Sequence, residues 1–450
     1  MNATNQANAI EAELNPESPA ASHTYKKPTA PTSVPLSQIS VKLFPMSMMD
    51  SFKDYFSSKS IKEVQEELLS TLPFYPEPSK DHSAEVVNFK SPNSIVFPDI
   101  NEFHVKPKKE FDNPKHLVFI HGYGAGLGFF IKNVEDLAER HPNWHIHAID
   151  LPGYGCSTRV RFPYDIPTDD YKTVEKLFTV PLRDWFDYHS LNEKNTITVA
   201  HSMGGYLSLA LQINEVNKDG YINDEEFKFI KPKFWSSGLE KKFEGQKSYF
   251  KSLYSKEGNV RRFWDTLVLV SPGGIMYHDE EGLQKRIPSW FSKLWNMNIS
   301  PFSLVRNTGP FGPMLVSGWT SRRFALPELF DDKSRELMHN YTYSIFNARG
   351  SGEYMLNYFL APGAFPRCPM VNRVKELKEY AGKTVWLYGS HDWMDYRGGI
   401  ESCEKLAEVG SKDCRVEIVP HAGHHIYLDS FKRFNDIISS EMTDFEKRVK

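Results

Sequence analysis

Short apolar runs recur along the chain, and each has the length of a buried strand. We predict the first strands within 85–98 and later strands at 117–120, 143–150, 196–199, 266–270, 384–388 and 414–419. The run at 206–211 directly follows one of these strands and has the apolar character of a buried helix. Gly, His, Ser and Asp residues follow several of the strands, so the candidate chemistry of this chain is concentrated at strand ends.

The pattern differs toward the N terminus. Residues 1–45 are rich in Ala, Asn, Pro, Ser and Thr and poor in bulky side chains, which predicts a disordered tail. Residues 46–80 carry apolar side chains at helical spacing, which predicts amphipathic helices. These helices would either pack on the domain predicted at 81–450 or lie on a lipid surface.

Two insertions interrupt the strand pattern of that domain. The first, 214–262, is charged, and its segment 215–226 has oxygen-bearing side chains and Gly220 at spacings close to a calcium-binding EF-hand loop. Its first position is Glu215 rather than Asp, and a solvated acidic turn is the alternative. The second insertion, 276–372, is rich in aromatic residues, which would line an acyl pocket or pack a helical cap on the core.

A serine lies between a predicted strand and a predicted helix. Ser202 is the centre of the sequence Ala200-His201-Ser202-Met203-Gly204, which has the form A-x-S-x-G. A strand, a sharp turn with a central Ser and a helix form the nucleophile elbow of α/β-hydrolases. Ala200 replaces the usual Gly and is the smallest departure from that pattern. We therefore predict an α/β-hydrolase fold, with a mostly parallel central sheet, helices on both faces and a helical cap insertion.

A glycine-rich turn at 121–128 follows the strand predicted at 117–120. Backbone N–H groups in such a turn can approach a substrate oxygen closely. Gly122 or Tyr123, together with Met203 just after the serine, would then form an oxyanion hole. The alternative is a phosphate-binding loop, but the turn lacks both the Gly-Lys-Ser/Thr ending and the G-x-G-x-x-G spacing.

The remaining parts of a catalytic triad follow in the order acid, then histidine. The strand predicted at 384–388 leads to two candidate acids, Asp392 and Asp395, of which we favour Asp392. The last strand leads to His424, and Gly423 allows a tight turn just before its ring. His421 and His425 are the alternatives for the general base, which would take the proton of Ser202. The chain order Ser, acid, His is that of the α/β-hydrolases.

Composition excludes several other functions. The 450 residues carry a formal net charge of −3, which gives no reason to expect a nucleic-acid partner. The four cysteines show no metal or disulfide spacing, which favours a reducing compartment. His145 and His147 share one face of a strand, but no third ligand is evident, so we predict no metal site. Because no run of about 18 apolar residues occurs, membrane contact would be peripheral. Residues 1–45 have neither the Arg-rich composition of a mitochondrial presequence nor the apolar core of a signal peptide, so the predicted location is the cytoplasm.

The chain resembles a lipid-metabolising branch of the α/β-hydrolases. This branch includes yeast cardiolipin-specific deacylase, yeast lysophosphatidic acid acyltransferase-like enzymes and the animal coactivator of adipose triglyceride lipase. The resemblance covers roughly residues 50–440 and rests on the segments 201–205, 301–313, 351–353 and 424–429. It implies a serine phospholipid deacylase, possible substrates including cardiolipin, at a peripheral membrane or lipid-droplet surface, and it keeps Asp395 as an alternative acid.

The resemblance also implies two alternatives to deacylation. One is an acyltransferase that uses acyl-CoA as co-substrate and lysophosphatidic acid as acceptor, with His424 and Asp429 as its H-x4-D motif. Five residues turn roughly 500° along a helix, so Asp429 would instead cap or solvate the following helix. The other alternative is a non-catalytic coactivator, although the coactivator lacks the serine that this chain retains as Ser202. No other cofactor is predicted, and the branch leaves mitochondria as an alternative location.

Overall fold

The computed structural model describes residues 46–57, 59–231, 237–255, 260–276, 288–326, 328–411 and 413–449. The tail predicted at 1–45 lies outside them, as do parts of both insertions. The strands are β1 His82–Lys90, β2 Asp99–Pro107, β3 Lys115–Ile120, β4 Trp144–Ile149, β5 Thr196–His201, β6 Thr266–Val270, β7 Leu360–Ala361, β8 Phe365–Pro366, β9 Lys383–Gly389 and β10 Cys414–Val419.

Eight of these strands form one sheet in the order β1-β2-β4-β3-β5-β6-β9-β10, and β7 pairs with β8. β2 is antiparallel to both of its neighbours, whereas the remaining pairs of the large sheet are parallel. This mostly parallel sheet confirms the predicted α/β class. Parallel strands end at the same edge of the sheet, so the turns after β3, β5, β9 and β10 lie side by side there.

The α-helices that surround the sheet and form its insertions have the following bounds. They are α1 Met48–Phe56, α2 Ile61–Leu69, α3 Ile131–Arg140, α4 Tyr171–Tyr188, α5 Met203–Val216, α6 Asp224–Ile230, α7 Ser237–Tyr254, α8 Ser289–Asn296, α9 Phe302–Asn307, α10 Gly312–Arg323, α11 Asp332–Asn347, α12 Leu356–Phe359, α13 Arg397–Glu408, α14 Ile426–Asp429 and α15 Phe431–Arg448.

Alternate residues of the central strands enter two separate cores. On β3, Leu117 and Phe119 join the apolar cluster that contains buried residues of α2, α3 and α15. Val118 and Ile120 point the other way and join the cluster that contains α4, α5 and α13. Both faces of the sheet are therefore covered by helices, which explains why the central strands are apolar throughout rather than alternating.

The two N-terminal helices make different contacts. On α2, Val64, Leu68 and Leu69 are buried in the core. On α1, Ser51 donates a hydrogen bond of 2.6 Å to the carbonyl of Pro310 in the cap, and Phe52 packs edge-on against Phe311. The second helix thus packs on the domain, whereas the first attaches to the cap and keeps apolar side chains exposed.

Two predictions about this framework are wrong. The first strands were expected within 85–98, but residues 91–98 form the connection between β1 and β2. Most of this connection is buried, and Ser91 and Asn93 in it donate hydrogen bonds to the carboxylate of Asp184. Its buried apolar residues therefore have the same sequence pattern as a buried strand.

The second error concerns the cysteines, for which no disulfide spacing was recognised. Cys403 on α13 and Cys414 at the start of β10 form a disulfide, with their Cα atoms 5.4 Å apart. The turn between helix and strand brings the two residues together, and an isolated spacing of 11 residues carries no sequence signature for it. None of the described helices combines the length and apolar character that crossing a bilayer requires.

Candidate active site

Ser202 occupies a strained turn between β5 and α5. Its backbone has φ 51° and ψ −114°, a left-handed conformation that non-glycine residues rarely adopt. The N–H of Ser202 donates to the carbonyl of Val270, and the N–H of Gly273 donates to the carbonyl of Ser202. These bonds hold the turn from both sides and leave the hydroxyl directed into a cavity, as in a nucleophile elbow.

The turn after β3 passes very close to this serine. A Cβ atom added to Gly122 would lie 2.8 Å from Nδ1 of His201 and 2.9 Å from Cβ of Ser202. Only glycine fits at this approach. Among the described residues, the N–H groups of Gly122, Tyr123 and Met203 are not seen to donate to a protein group, so all three predicted donors are available to an oxyanion.

His424 joins the serine to one of the two candidate acids. Its Nε2 lies 3.1 Å from Oγ of Ser202, and its Nδ1 lies 3.1 Å from Oδ1 of Asp392. Asp392 is almost fully buried, at 2% exposure, and its Oδ1 also accepts the N–H of Met394. The carboxylate therefore holds the ring with Nδ1 protonated and leaves Nε2 to accept the serine proton.

The alternative acid has a different partner. Both carboxylate oxygens of Asp395 accept hydrogen bonds from the guanidinium of Arg397, at 2.8 to 3.1 Å. The structure thus brings Asp392, and not Asp395, to the histidine.

The two histidines that compete with His424 also lie elsewhere. His421 is exposed. His425 is half-buried beside His201 and Tyr427, and desolvation of its ring lowers its pKa well below its ordinary value. Among the described contacts, Oγ of Ser202 bonds to the ring of His424 and to neither of these two rings.

His201 is a site residue that sequence reasoning missed. Its Nε2 donates to the backbone carbonyl of His424 at 3.0 Å, and burial lowers its pKa well below the usual value, so the ring is neutral. The residue before the serine therefore holds the loop that carries the base. In the sequence, only the position of His201 beside Ser202 indicated that it belongs to the site.

Asp429 supports the same loop from the other side. Its Oδ2 accepts the N–H of Gly423 at 2.9 Å, and its Oδ1 lies 3.4 Å from Nη1 of Arg323. Burial raises the pKa of this carboxyl group. Asp429 thus bonds to the residue before His424 rather than to a substrate-facing group.

A mostly apolar cavity of about 270 Å³ opens over the serine. Ser202 and His424 are part of its wall, and the other lining residues are Tyr123, Met203, Tyr206, Gly273, Gly274, Trp295, Leu356, Phe359, Leu360, Ala364, Trp393 and Met394. Several of these side chains belong to the predicted cap. Trp393 also packs against the ring of His424, with centroids 5.0 Å apart, so the base is shielded on one face.

The candidate calcium segment is bonded internally. The carboxylate of Glu215 accepts hydrogen bonds from Arg183, and Asp219 and Glu226 both bind the ammonium group of Lys176. Glu226 also closes the N-terminal capping box of α6 with Asn223. These carboxylates are neutralised by protein cations, and the calcium prediction gains no geometric support.

The profile of the Alpha/beta hydrolase family matches residues 117–437, which include every triad position. The chain is 28% identical over 318 residues to 1-acylglycerol-3-phosphate O-acyltransferase of Arabidopsis thaliana, covering 70% of this chain and 63% of that enzyme. The chain therefore spans less than two thirds of that plant relative.

Two animal relatives align over more of their length. The (lyso)-N-acylphosphatidylethanolamine lipase of Bos taurus is 24% identical over 328 residues, which cover 72% of this chain and 77% of the lipase. The 1-acylglycerol-3-phosphate O-acyltransferase ABHD5 of Rattus norvegicus is 24% identical over 388 residues, covering 84% of this chain and 88% of that protein. Both lipases and acyltransferases are thus among the proteins that this chain is similar to.

Proposed function

Because the chain belongs to the alpha/beta hydrolase family, we propose that it is a serine lipid-acyl hydrolase acting through an acyl-enzyme. The observation that carries this proposal is the hydrogen-bonded chain from Ser202 through His424 to Asp392. A serine hydroxyl is a weak nucleophile near neutral pH and needs such an adjacent base.

The geometry supports a two-step reaction. As Oγ of Ser202 attacks the ester carbonyl carbon, its proton moves to Nε2 of His424. The N–H of Met203, together with that of Gly122 or Tyr123, holds the oxyanion. His424 then gives the proton to the departing alcohol oxygen, which leaves an ester on Ser202. Water attacks that ester after losing its proton to His424, and the fatty acid and the free serine are released.

The cavity supports a fatty acyl substrate. Its lining is mostly apolar and aromatic, and its volume of about 270 Å³ lies just below the ~300–1,000 Å³ range of ligand pockets. Phospholipids, cardiolipin among them, are the substrates that we propose. The named relatives act on acylglycerol phosphate and N-acylphosphatidylethanolamine, which agrees with a lipid ester.

Exposed apolar side chains near this cavity support access from a lipid surface. Trp295 of α8 lines the cavity, whereas Trp290 and Leu294 on the same helix are 62% and 41% exposed. We use the name cap surface for the following exposed apolar residues of the cap and of α1: Met48, Met49, Phe52, Phe56, Trp290, Leu294, Met297 and Leu304. A large exposed apolar patch is typical of a membrane or lipid-droplet contact.

Acyl transfer is the second candidate, and the names of the plant and rat relatives favour it. It would use the same acyl-enzyme, formed from acyl-CoA, with the hydroxyl of lysophosphatidic acid replacing water. The contact of Asp429 with Gly423 supports a role in positioning His424, which both reactions need. A non-catalytic coactivator has no need of the Ser202, His424 and Asp392 arrangement.

One experiment separates the three functions. Wild type and Ser202→Ala are incubated with phospholipid vesicles containing cardiolipin, and separately with acyl-CoA and lysophosphatidic acid, and the lipid products are identified by mass spectrometry. Fatty acid release that Ser202→Ala abolishes supports the hydrolase, and serine-dependent phospholipid formation supports the transferase. Lipid binding with no turnover by wild type would overturn both and favour the coactivator. Cell fractionation would test peripheral attachment to cytoplasmic or mitochondrial membranes.

A further inference from the structure

Five histidines surround one glutamate on the face of the sheet that packs against α4. This histidine cluster consists of Glu102, His104, His116, His145, His147 and His189. The strand register produces it, because His104 of β2 pairs with His147 of β4, and His116 of β3 pairs with His145. His189 follows the last residue of α4 and reaches the cluster from the helix side.

The carboxylate of Glu102 is the centre of the cluster. Its Oε1 lies 2.6 Å from Nδ1 of His147, and its Oε2 lies 2.8 Å from Nε2 of His189 and accepts Nε1–H of Trp185 at 2.9 Å. Glu102 and His147 are completely buried. A carboxylate this deep in a domain needs either several donors or a cation to offset its lost hydration.

The geometry points to a zinc site formed by Glu102, His104, His147 and His189. One donor atom from each of these side chains lies within 4.8 Å of all the others. Tetrahedral Zn²⁺ with ligand bonds of ~2.0–2.2 Å would place those atoms roughly 3.3 Å apart. The longer separations would shorten and the hydrogen-bonded ones of 2.6 and 2.8 Å would widen, and small ring rotations can supply both changes. Three imidazoles and one carboxylate form a ligand set well suited to this ion.

The two remaining histidines occupy the positions of supporting partners. Nε2 of His147 lies 2.9 Å from Nδ1 of His116, and Nε2 of His104 lies 3.0 Å from Nδ1 of His145. If His147 and His104 coordinate through Nδ1, each keeps its proton on Nε2 and donates it to the partner ring. Histidine ligands of metals usually donate their second ring N–H in this way, which fixes the tautomer and the ring orientation.

The site would be structural rather than catalytic. All four ligands come from the protein and fill a tetrahedral shell, with no position left for substrate. No residue of the cluster lines the cavity over Ser202. The ion would instead tie the C-terminal end of α4 to β2 and β4.

Zinc titration of the full-length chain tests the site independently of lipid turnover. The protein is stripped with a chelator, and Zn²⁺ is added against a chromophoric competitor while metal content and Tm are measured. We expect one Zn²⁺ per chain and a Tm that rises with the free zinc concentration, because an ion that binds only the folded state stabilises it. X-ray absorption at the zinc edge should show three imidazoles and a carboxylate.

Two variants locate the ion. His189→Gln should weaken zinc binding at least about tenfold, whereas His421→Gln, which removes an exposed histidine outside the cluster, should not. If His189→Gln does not fold, the partly exposed His145→Gln, which removes only a supporting partner, should weaken binding by about 10- to 100-fold. A wild-type chain that binds no zinc and keeps its Tm would overturn the inference and leave a metal-free hydrogen-bond network. Zinc lost in His421→Gln but kept in His189→Gln would overturn it as well.

Discussion

His201 donates a hydrogen bond of 3.0 Å from Nε2 to the backbone carbonyl of His424. The residue before the candidate nucleophile is thereby bonded to the residue that carries the candidate base. The position of the imidazole over Ser202 depends on this bond and on the contact of Asp392 with Nδ1. The turn after β5 therefore positions both Ser202 and, through His201, the loop that carries His424.

Replacing His201 by Phe should lower kcat without a matching change in KM. The phenyl ring retains the packing against His425 and Tyr427 but cannot donate to the His424 carbonyl. Small displacements of catalytic groups reduce rates on the order of 10- to 100-fold, and we expect a loss of that size in steady-state kinetics. His421→Phe, an exposed change in the same loop, is the control. An unchanged kcat in a folded His201→Phe protein would show that His201 does not position His424.

The two acids should respond very differently to amide substitution. Asp392→Asn should lower kcat by about 10⁴, because the amide no longer holds the histidine in the reactive tautomer. Asp395→Asn weakens a partly exposed ion pair with Arg397, so kcat should change less than about tenfold. Parallel kinetics of the two variants measure the difference. Inactivation by Asp395→Asn with an active Asp392→Asn would reverse the assignment.

Polar substitutions on the cap surface should weaken attachment to lipid. The double variant Trp290→Ser, Leu304→Ser removes two side chains that are more than half exposed and whose burial in lipid would contribute about 1.5–3 kcal/mol each. Vesicle co-sedimentation should show at least a tenfold weaker affinity, with unchanged hydrolysis of a soluble short-chain ester. Val86→Ser on the edge strand β1 is the control. Equal vesicle binding by the double variant and wild type would place the lipid contact elsewhere.

Acid should destabilise the fold partly through His121. This buried ring donates from Nδ1 to the carbonyl of Gly122 and accepts the N–H of Leu151 at Nε2, and burial lowers its pKa to about 4. The unfolded chain, with a histidine pKa of about 6.5, takes up a proton between pH 6.5 and 4 that the folded chain does not. The free energy of unfolding therefore falls as the pH falls through this window, by up to about 3 kcal/mol from this residue.

The comparison with His121→Gln isolates that contribution. Burial raises the pKa of the neighbouring Asp150 to about 6, and this group has the opposite effect because the folded state then binds the extra proton. Urea unfolding at pH 7 and pH 5 should show a larger loss of stability in wild type than in His121→Gln. Equal losses in the two proteins would show that His121 titrates normally.

The sequence was sufficient to predict the fold class and to name the three side chains that the structure brings together, with one alternative for the acid. Ser202 and His424 directly follow or lie close to apolar strands, and strands of a parallel sheet end at one edge, so their convergence follows from topology. Asp392 was favoured over Asp395 but the alternative stayed open, because both lie in one turn and the ion pair of Asp395 with Arg397 has no signal in the sequence.

Polar contacts between residues far apart in the chain could not be predicted, because the sequence does not show which groups the fold brings together. The partner of His201 is a backbone carbonyl 223 positions along the chain, and a carbonyl leaves no residue-type signal. Likewise, β2 is almost entirely buried although it contains Glu102 and His104. Only the pairing with β4 reveals that these polar residues satisfy one another. His145 and His147 therefore seemed to have no further ligand.

The central claim is that Ser202 carries the acyl group. Rapid quenching of the protein with a phospholipid substrate, followed by peptide mass spectrometry, measures this directly. We predict one fatty acyl ester on Ser202 in wild type, a higher proportion of it when deacylation is slowed at low pH, and none in Ser202→Ala. Substrate turnover without any acyl group on Ser202, or with the same turnover in Ser202→Ala, would contradict the account.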